Sequence, residues 1–475
     1  MRRYLLFSLI FVITSFLLLS CKDYSEPLPY GPVPTESQLQ WQKMEYYMFV
    51  HFGPNTFTDK EWGDGLESPD VFAPTELDCM QWAKVARQAG MKGIIVTAKH
   101  HDGFCLWPSA YSSHTVEESG WRDGKGDLLK ELSIACEKYG LKFGVYVSPW
   151  DQNHPKYGLP EYNEVFAGTI SEVLGNYGNV FELWLDGAYG GNPDSTFRYD
   201  WELFHEIAYS KSPDVVIFSD IGPGCRWVGN ESGIAPETNW SRLNTDGYQP
   251  GKFAPSRDTL GGGNVHGKYW VPAECDVSLR PGWFYSPSTD DKLKSVDQLM
   301  EIYYSSVGRN SNLLLNVPAD RRGRIPAADS ARLVEFAKER EKAFHVDYAK
   351  MSRTLSDEVR GAKPKFAASN IVDGRYDTYW STDDNVTSAS FTVYFRRNRV
   401  ISAAMIQEYI PLGQRVKEFS IECALGDDGD WKEVFRGTTI GYKRIVRFDS
   451  VEVSKVRFNI LDSYASPVIN NVEIY

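Results

Sequence analysis

The sequence predicts an α/β protein: a (β/α)8-like, TIM-type barrel followed by an all-β, jelly-roll sandwich. Three observations carry this expectation. Apolar strand-like runs alternate with helix-like segments from about residue 41 to residue 344. Those runs are apolar throughout, as strands of a parallel sheet covered on both faces must be. From about residue 363 the pattern becomes short and alternating, which is the rhythm of a sandwich.

The elements follow in chain order. Arg2 and Arg3 precede an apolar run over residues 4–19 that ends in Leu18-Leu19-Ser20-Cys21. The run is short for a spanning helix and has the flanks of a signal peptide. Leu-Leu-Ser-Cys resembles a lipobox, so Cys21 is the expected lipidation site. The expectation is an exported lipoprotein of the outer membrane, on its periplasmic side or at the cell surface, that meets the membrane through this anchor alone. Residues 1–20 then form the leader, and the polar, Pro-containing stretch 21–40 forms a tether.

Residues 41–345 are assigned to the barrel. Strands are expected at 47–53, 93–98, 143–148, 180–185 and 215–219. Helices are expected at 77–89, 127–139, 162–177 and 201–210, the first two stopped by Gly90 and Gly140. After a charged helix near 331–343 comes a linker, 346–361, and then the sandwich, 362–475. Runs at 389–395, 419–423, 446–448 and 456–460 alternate as sandwich strands do.

Composition narrows the function. The chain has 475 residues and a net charge of −12, which disfavours a broad electrostatic grip on nucleic acid. Fourteen Trp and 27 Tyr fit a protein that stacks on flat apolar faces such as sugar rings. Cys79, Cys105, Cys136, Cys225, Cys275 and Cys423 show no zinc or redox spacing, and both disulfides and buried thiols stay open.

Catalytic groups of barrels sit at the C-terminal ends of the strands. Here the first strand ends in His51, the second in Lys99-His100-His101-Asp102, and the fourth in Trp184-Leu185-Asp186-Gly187. Tyr146 lies on the third, just before Ser148-Pro149-Trp150-Asp151. Asp186 is followed by a glycine-rich loop, so helix capping does not explain it. Adjacent His100 and His101 point to opposite faces of a strand, so hydrogen bonding to a hydroxylated ligand suits them better than one shared metal.

Glu61-Trp62-Gly63, Thr97-Ala98-Lys99-His100-His101-Asp102-Gly103-Phe104, Gly124-Lys125-Gly126-Asp127, Tyr146-Val147-Ser148-Pro149-Trp150-Asp151 and Trp184-Leu185-Asp186-Gly187-Ala188 together resemble the α-L-fucosidases of glycoside hydrolase family 29. The resemblance runs over residues 41–340. Arg226-Trp227-Val228-Gly229-Asn230-Glu231, with Asp276-Val277-Ser278-Leu279-Arg280-Pro281-Gly282-Trp283-Phe284, is similar to the subgroup acting on branched α-1,3/1,4-linked fucose. The resemblance implies an exo-acting, retaining hydrolase without a catalytic cofactor. It makes Asp186 the nucleophile and Glu231 the acid/base; because Glu231 sits on a loop of small polar residues, Glu237 and Glu274 are kept as fallback acids. It implies that His51, Glu61, His100, His101 and Tyr146 hold fucose hydroxyls and that Trp62 and Trp184 line the sugar. Arg226, Asp276 and Trp283 are further expected substrate contacts, and the expected partner is a fucosylated oligosaccharide or glycoconjugate.

The segment Asn370-Ile371-Val372-Asp373-Gly374-Arg375-Tyr376-Asp377-Thr378-Tyr379-Trp380 resembles the first loop of discoidin-like, galactose-binding-like sandwiches, many of them carbohydrate-binding modules. That resemblance implies a structural Ca2+ with Asp373, Thr378 and Glu473 as ligands. Two other readings stay open: a non-catalytic lipid-anchored glycan-binding protein, and a hydrolase for a related sugar such as α-L-galactose. Both carboxyl residues of the retaining pair are present, which speaks against a decayed site.

Overall fold

The computed structural model describes residues 25–190, 197–426 and 429–475. The predicted leader and the lipidation site Cys21 lie outside the described residues.

Eight parallel strands close into a barrel. They are β1 (Tyr46–Val50), β2 (Gly93–Lys99), β3 (Lys142–Val147), β4 (Val180–Leu185), β5 (Val216–Ser219), β6 (Cys225–Trp227) and, beyond a small pair β7 (Arg242–Leu243) and β8 (Tyr269–Trp270), β9 (Ala273–Ser278) and β10 (Ser311–Asn316). β1 closes the ring against β10, with Tyr46 opposite Leu313.

Side chains alternate between the two faces of the barrel wall. Tyr46, Met48 and Val50 face the outer core with Leu183, Leu185, Leu313 and Leu315. Tyr47 and Phe49 face inward with Tyr146, Trp184, Phe218 and Leu314. Aromatics fill the barrel floor, so the opening at the strand ends is a shallow mouth rather than a pore.

The covering helices start where short polar side chains satisfy free backbone N–H groups. Asp78 accepts from Gln81 N–H before Cys79–Gln88, Asp127 from Lys130 N–H before Leu128–Tyr139, and Asp200 from Leu203 N–H before Trp201–Lys211. Gly140 ends the second in the left-handed conformation, φ 64°.

The sandwich contains β11 (Arg353–Leu355), β12 (Trp380–Ser381), β13 (Ala389–Glu408), β14 (Val416–Ala424), β15 (Lys432–Gly437), β16 (Arg444–Ser463) and β17 (Val468–Ile474). β13 and β16 are each 20 residues long and break register at bulges, which lets them bend around their own core. β11 pairs with β13, so strand pairing begins inside the stretch expected to be a linker.

The tether expectation also changes. Tyr30 N–H donates to Leu412 O, Arg415 to Leu28 O and Arg360 to Ser25 O, so residues 25–30 run along the sandwich. Glu36–Gln42 is a helix with a complete capping box at Thr35 and Gln38. The two domains are bonded as well: Gln414 bridges Asn239 and Ser241, and Arg447 pairs with Glu301 at 2.6 Å. The six described cysteines are buried free thiols.

Candidate active site

Asp186 stands one residue beyond β4, at the barrel mouth. Tyr146 Oη donates to its Oδ2 at 2.8 Å, and Ala188 N–H donates to its Oδ1 at 2.8 Å. The carboxylate is therefore held on both oxygens. It lines a cavity of about 170 Å³ together with His51, His100, His101, Trp184 and Glu231.

Glu231 comes from the loop after β6. That loop is shaped locally: Asn230 donates to Ile234 O and accepts from Ser232 N–H. It is also tied to the barrel, where Ser232 bridges Val277. Burial pushes the Glu231 carboxyl above its ordinary range, and the Asp186 charge pushes it further. A carboxyl whose pKa is raised by burial and by a neighbouring carboxylate is the kind of group that serves as an acid in a two-carboxyl mechanism.

Three histidines floor the cavity. Burial depresses His51 to about 3 and takes His100 well below its ordinary value. Burial also lowers His101, although the Asp186 charge opposes it. Burial thus disfavours the charged form of all three, as suits an uncharged ligand. His51 Nδ1 meets Asn316 Oδ1 at 2.9 Å, so that nitrogen carries the proton. His101 Nδ1 meets Ser148 Oγ at 2.7 Å, and Ser148 donates onward to Trp150 O. Among the described residues, His100 Nδ1 is buried without a hydrogen-bond partner.

Aromatic faces complete the walls. Trp184 stacks on Tyr146, with centroids 5.1 Å apart, and on Phe218 at 3.9 Å. Trp283 lies 5.0 Å from the His51 ring. Trp62 is 64% exposed and forms the rim, edge-on to Trp150. Glu61 accepts from Trp283 N–H at 2.8 Å. Gly282, at φ 78°, makes this contact possible, since a Cβ there would sit 2.2 Å from Glu61 Oε1. Asp276 lines the cavity and accepts from Trp227 Nε1 at 2.9 Å.

Three expectations need correction. Arg226 is not at the cavity. It is fully buried, and its guanidinium donates to Leu260 O, Gly261 O and Asn239 Oδ1. The fallback acid Glu237 is engaged by Arg309 and Arg444, while Glu274 lies buried beneath Trp184. Of the expected calcium ligands, Asp373 and Thr378 come together, while Glu473 has other hydrogen-bond partners. Asp373 accepts from Thr378 Oγ1 at 2.8 Å and Arg375 N–H at 2.8 Å, whereas Glu473 bonds Asn471 and Tyr475. From β17, Asn470 donates to Tyr376 O in the loop. Asn470 and Glu473 are three residues apart, on opposite faces of the strand.

Residues that the sequence reading passed over also matter. Asn316 fixes His51 and ends an apolar strand, the same signal that marked Asp186. Asp151 forms a buried pair with Lys99 at 2.8 Å and receives Asn153 and His154 N–H.

What such a mouth can do is break a glycosidic bond, and the class that it defines is that of the barrel glycoside hydrolases. The alpha-L-fucosidase family model matches residues 30–339, and the F5/8 type C domain model matches residues 354–474. The chain therefore belongs to the alpha-L-fucosidase family and carries a discoidin-like C-terminal domain. Alpha-L-fucosidase 1 of Arabidopsis thaliana is 40% identical over 452 residues, covering 94% of this chain and 88% of its own. Plasma alpha-L-fucosidase of Homo sapiens is 26% identical over 312 residues, covering 62% and 59%. A solved Ruminococcus gnavus family 29 fucosidase in complex with fucose superposes with a TM-score of 0.86 at 31% identity, covering 95% of this chain and 96% of that one. Fucosidases of this family need no cofactor for catalysis.

Proposed function

We propose that this fucosidase is exo-acting and retaining, and that it releases terminal α-1,3/1,4-linked L-fucose from branched, Lewis-type glycans. The observation that supports it is Asp186, held on both oxygens, lining the same small cavity as Glu231. Asp186 attacks the anomeric carbon while Glu231 protonates the leaving oxygen. Glu231, now ionised, then takes a proton from the water that hydrolyses the fucosyl-enzyme. His51, His100 and His101 read hydroxyls, and Trp184 covers the apolar side of the sugar. A site that pairs each hydroxyl discriminates strongly, because an analogue lacking one leaves a buried group unpaired.

Asp276 and Trp283 line the same cavity as Asp186 and Glu231, and the sequence motif they belong to supports the branched-substrate reading. The experiment compares fucose release from an aryl α-L-fucoside and from a Lewis-type oligosaccharide. Preferential release from the branched sugar is expected. Equal release refutes the linkage preference, and release from neither refutes the function. Export as a lipoprotein anchored at Cys21 is proposed from the sequence of residues 1–21 alone. Metabolic labelling with a fatty acid, lost in Cys21→Ser, tests it.

A further inference from the structure

Glu182, Trp184 and Asp186 are spaced two apart and face into the barrel. Below the sugar cavity Glu182 meets Glu274 of β9. Both are fully buried, and their carboxyl oxygens and Cys225 Sγ lie within 4.8 Å of one another.

Each carboxyl oxygen of this pair accepts from a neutral donor. Trp41 Nε1 donates to Glu182 Oε2 at 2.8 Å, and Cys225 Sγ to Glu182 Oε1 at 3.7 Å. Trp184 Nε1 donates to Glu274 Oε1 at 2.9 Å, and Tyr47 Oη to Glu274 Oε2. With a donor on each of the four oxygens, the cluster is a hydrogen-bond cage. Two adjacent buried carboxyls among neutral donors cannot both ionise cheaply. Burial accordingly raises both carboxyls above their ordinary range.

The cage has one outlet toward the chemistry. Trp184 stacks on Tyr146, and Tyr146 donates to Asp186. We propose that Glu274 is a positioning residue for the fucosidase reaction: braced against Glu182, it fixes the Trp184 indole and, through the Trp184–Tyr146 stack, the hydroxyl that holds Asp186. This rests on the reading of Asp186 as nucleophile.

A double-mutant cycle tests it. Glu274→Gln keeps an oxygen for the indole N–H and is expected to retain kcat/KM within about threefold. Glu274→Met removes the acceptor and is expected to lower kcat/KM about 10- to 100-fold, mainly through kcat. In a Trp184→Phe background, where there is no indole N–H to hold, Glu274→Met is expected to add less than about threefold. A full additional loss in that background overturns the proposal, as does a Gln variant as impaired as the Met variant. Should the Met variant fail to fold, Glu274→Gln carries the test by NMR of 15N-Trp enzyme. The indole resonance that disappears in Trp184→Phe should shift in Glu274→Gln, and an unmoved resonance overturns the contact. That readout needs no turnover, so it separates failure of this proposal from failure of the functional reading.

Discussion

Tyr146 Oη donates to Asp186 Oδ2 at 2.8 Å, a bond between neighbouring strands of one rigid wall. The register sets it: on β3 and β4, Tyr146 pairs with Trp184 and Val147 with Leu185. The carboxylate is thus placed by strand pairing, with a loop N–H from Ala188 closing its other side. Burial keeps the Tyr146 hydroxyl well above the ordinary tyrosine range, so it remains a donor at any working pH.

Removing that donor should therefore slow the reaction without unfolding the barrel. A hydrogen bond to a charged group contributes about 1.5–3 kcal/mol. Tyr146→Phe is expected to lose about 10- to 100-fold in kcat/KM, with an unchanged circular dichroism spectrum. A loss below threefold would mean that the hydroxyl does not position Asp186.

Asp186→Ala is expected to lose about 10^3-fold or more in kcat, since no neighbouring side chain replaces a nucleophile. A 2-fluoro-fucosyl fluoride should label the wild-type enzyme once, and peptide mapping should place the label on Asp186. Labelling elsewhere, or near-wild-type turnover in the alanine variant, would end the double-displacement reading.

The strand ends were legible because the rule that reads them is local. His51 and Asp186 each follow an apolar run directly, and His100 and His101 follow one after Lys99. Arg226 was misread because a motif does not tell which way a side chain points. Cys225 and Trp227 pack with the inner core, so Arg226 between them must face outward. The Glu182–Glu274 contact was hidden for another reason: it joins β4 to β9, 92 positions apart, and no periodicity announces it. The docking of residues 25–30 on the sandwich is long-range in the same way.

The pH profile should carry the signature of Glu231. Catalysis needs it protonated at the start, so kcat/KM falls as pH rises through its pKa. Burial first, then the charge of Asp186, raise that pKa, so the alkaline limb should lie above the ordinary glutamate value. Replacing Asp186 by Asn removes the second contribution. Carboxyl NMR of Asp186→Asn should show Glu231 titrating at lower pH than in the wild type. An unchanged or higher value would place the two groups too far apart to act together. In Glu231→Gly, azide should restore glycosyl transfer, and a failure to do so would move the acid role elsewhere.

Arg226 separates stability from chemistry. Its guanidinium is buried on the outer side of β6 and serves Leu260 O, Gly261 O, Val271 O and Asn239 Oδ1. Arg226→Met would strand those acceptors in a dry interior, and each buried acceptor left unpaired costs about 1–3 kcal/mol. Partial relaxation reduces the sum, so the expected loss is about 3 kcal/mol or more, read as a lower urea midpoint. The cavity loses no lining group, because Arg226 touches none of it. KM for the branched substrate should therefore stay within about twofold in the fraction that folds. A large KM increase with an unchanged urea midpoint would return Arg226 to the substrate and contradict its placement here.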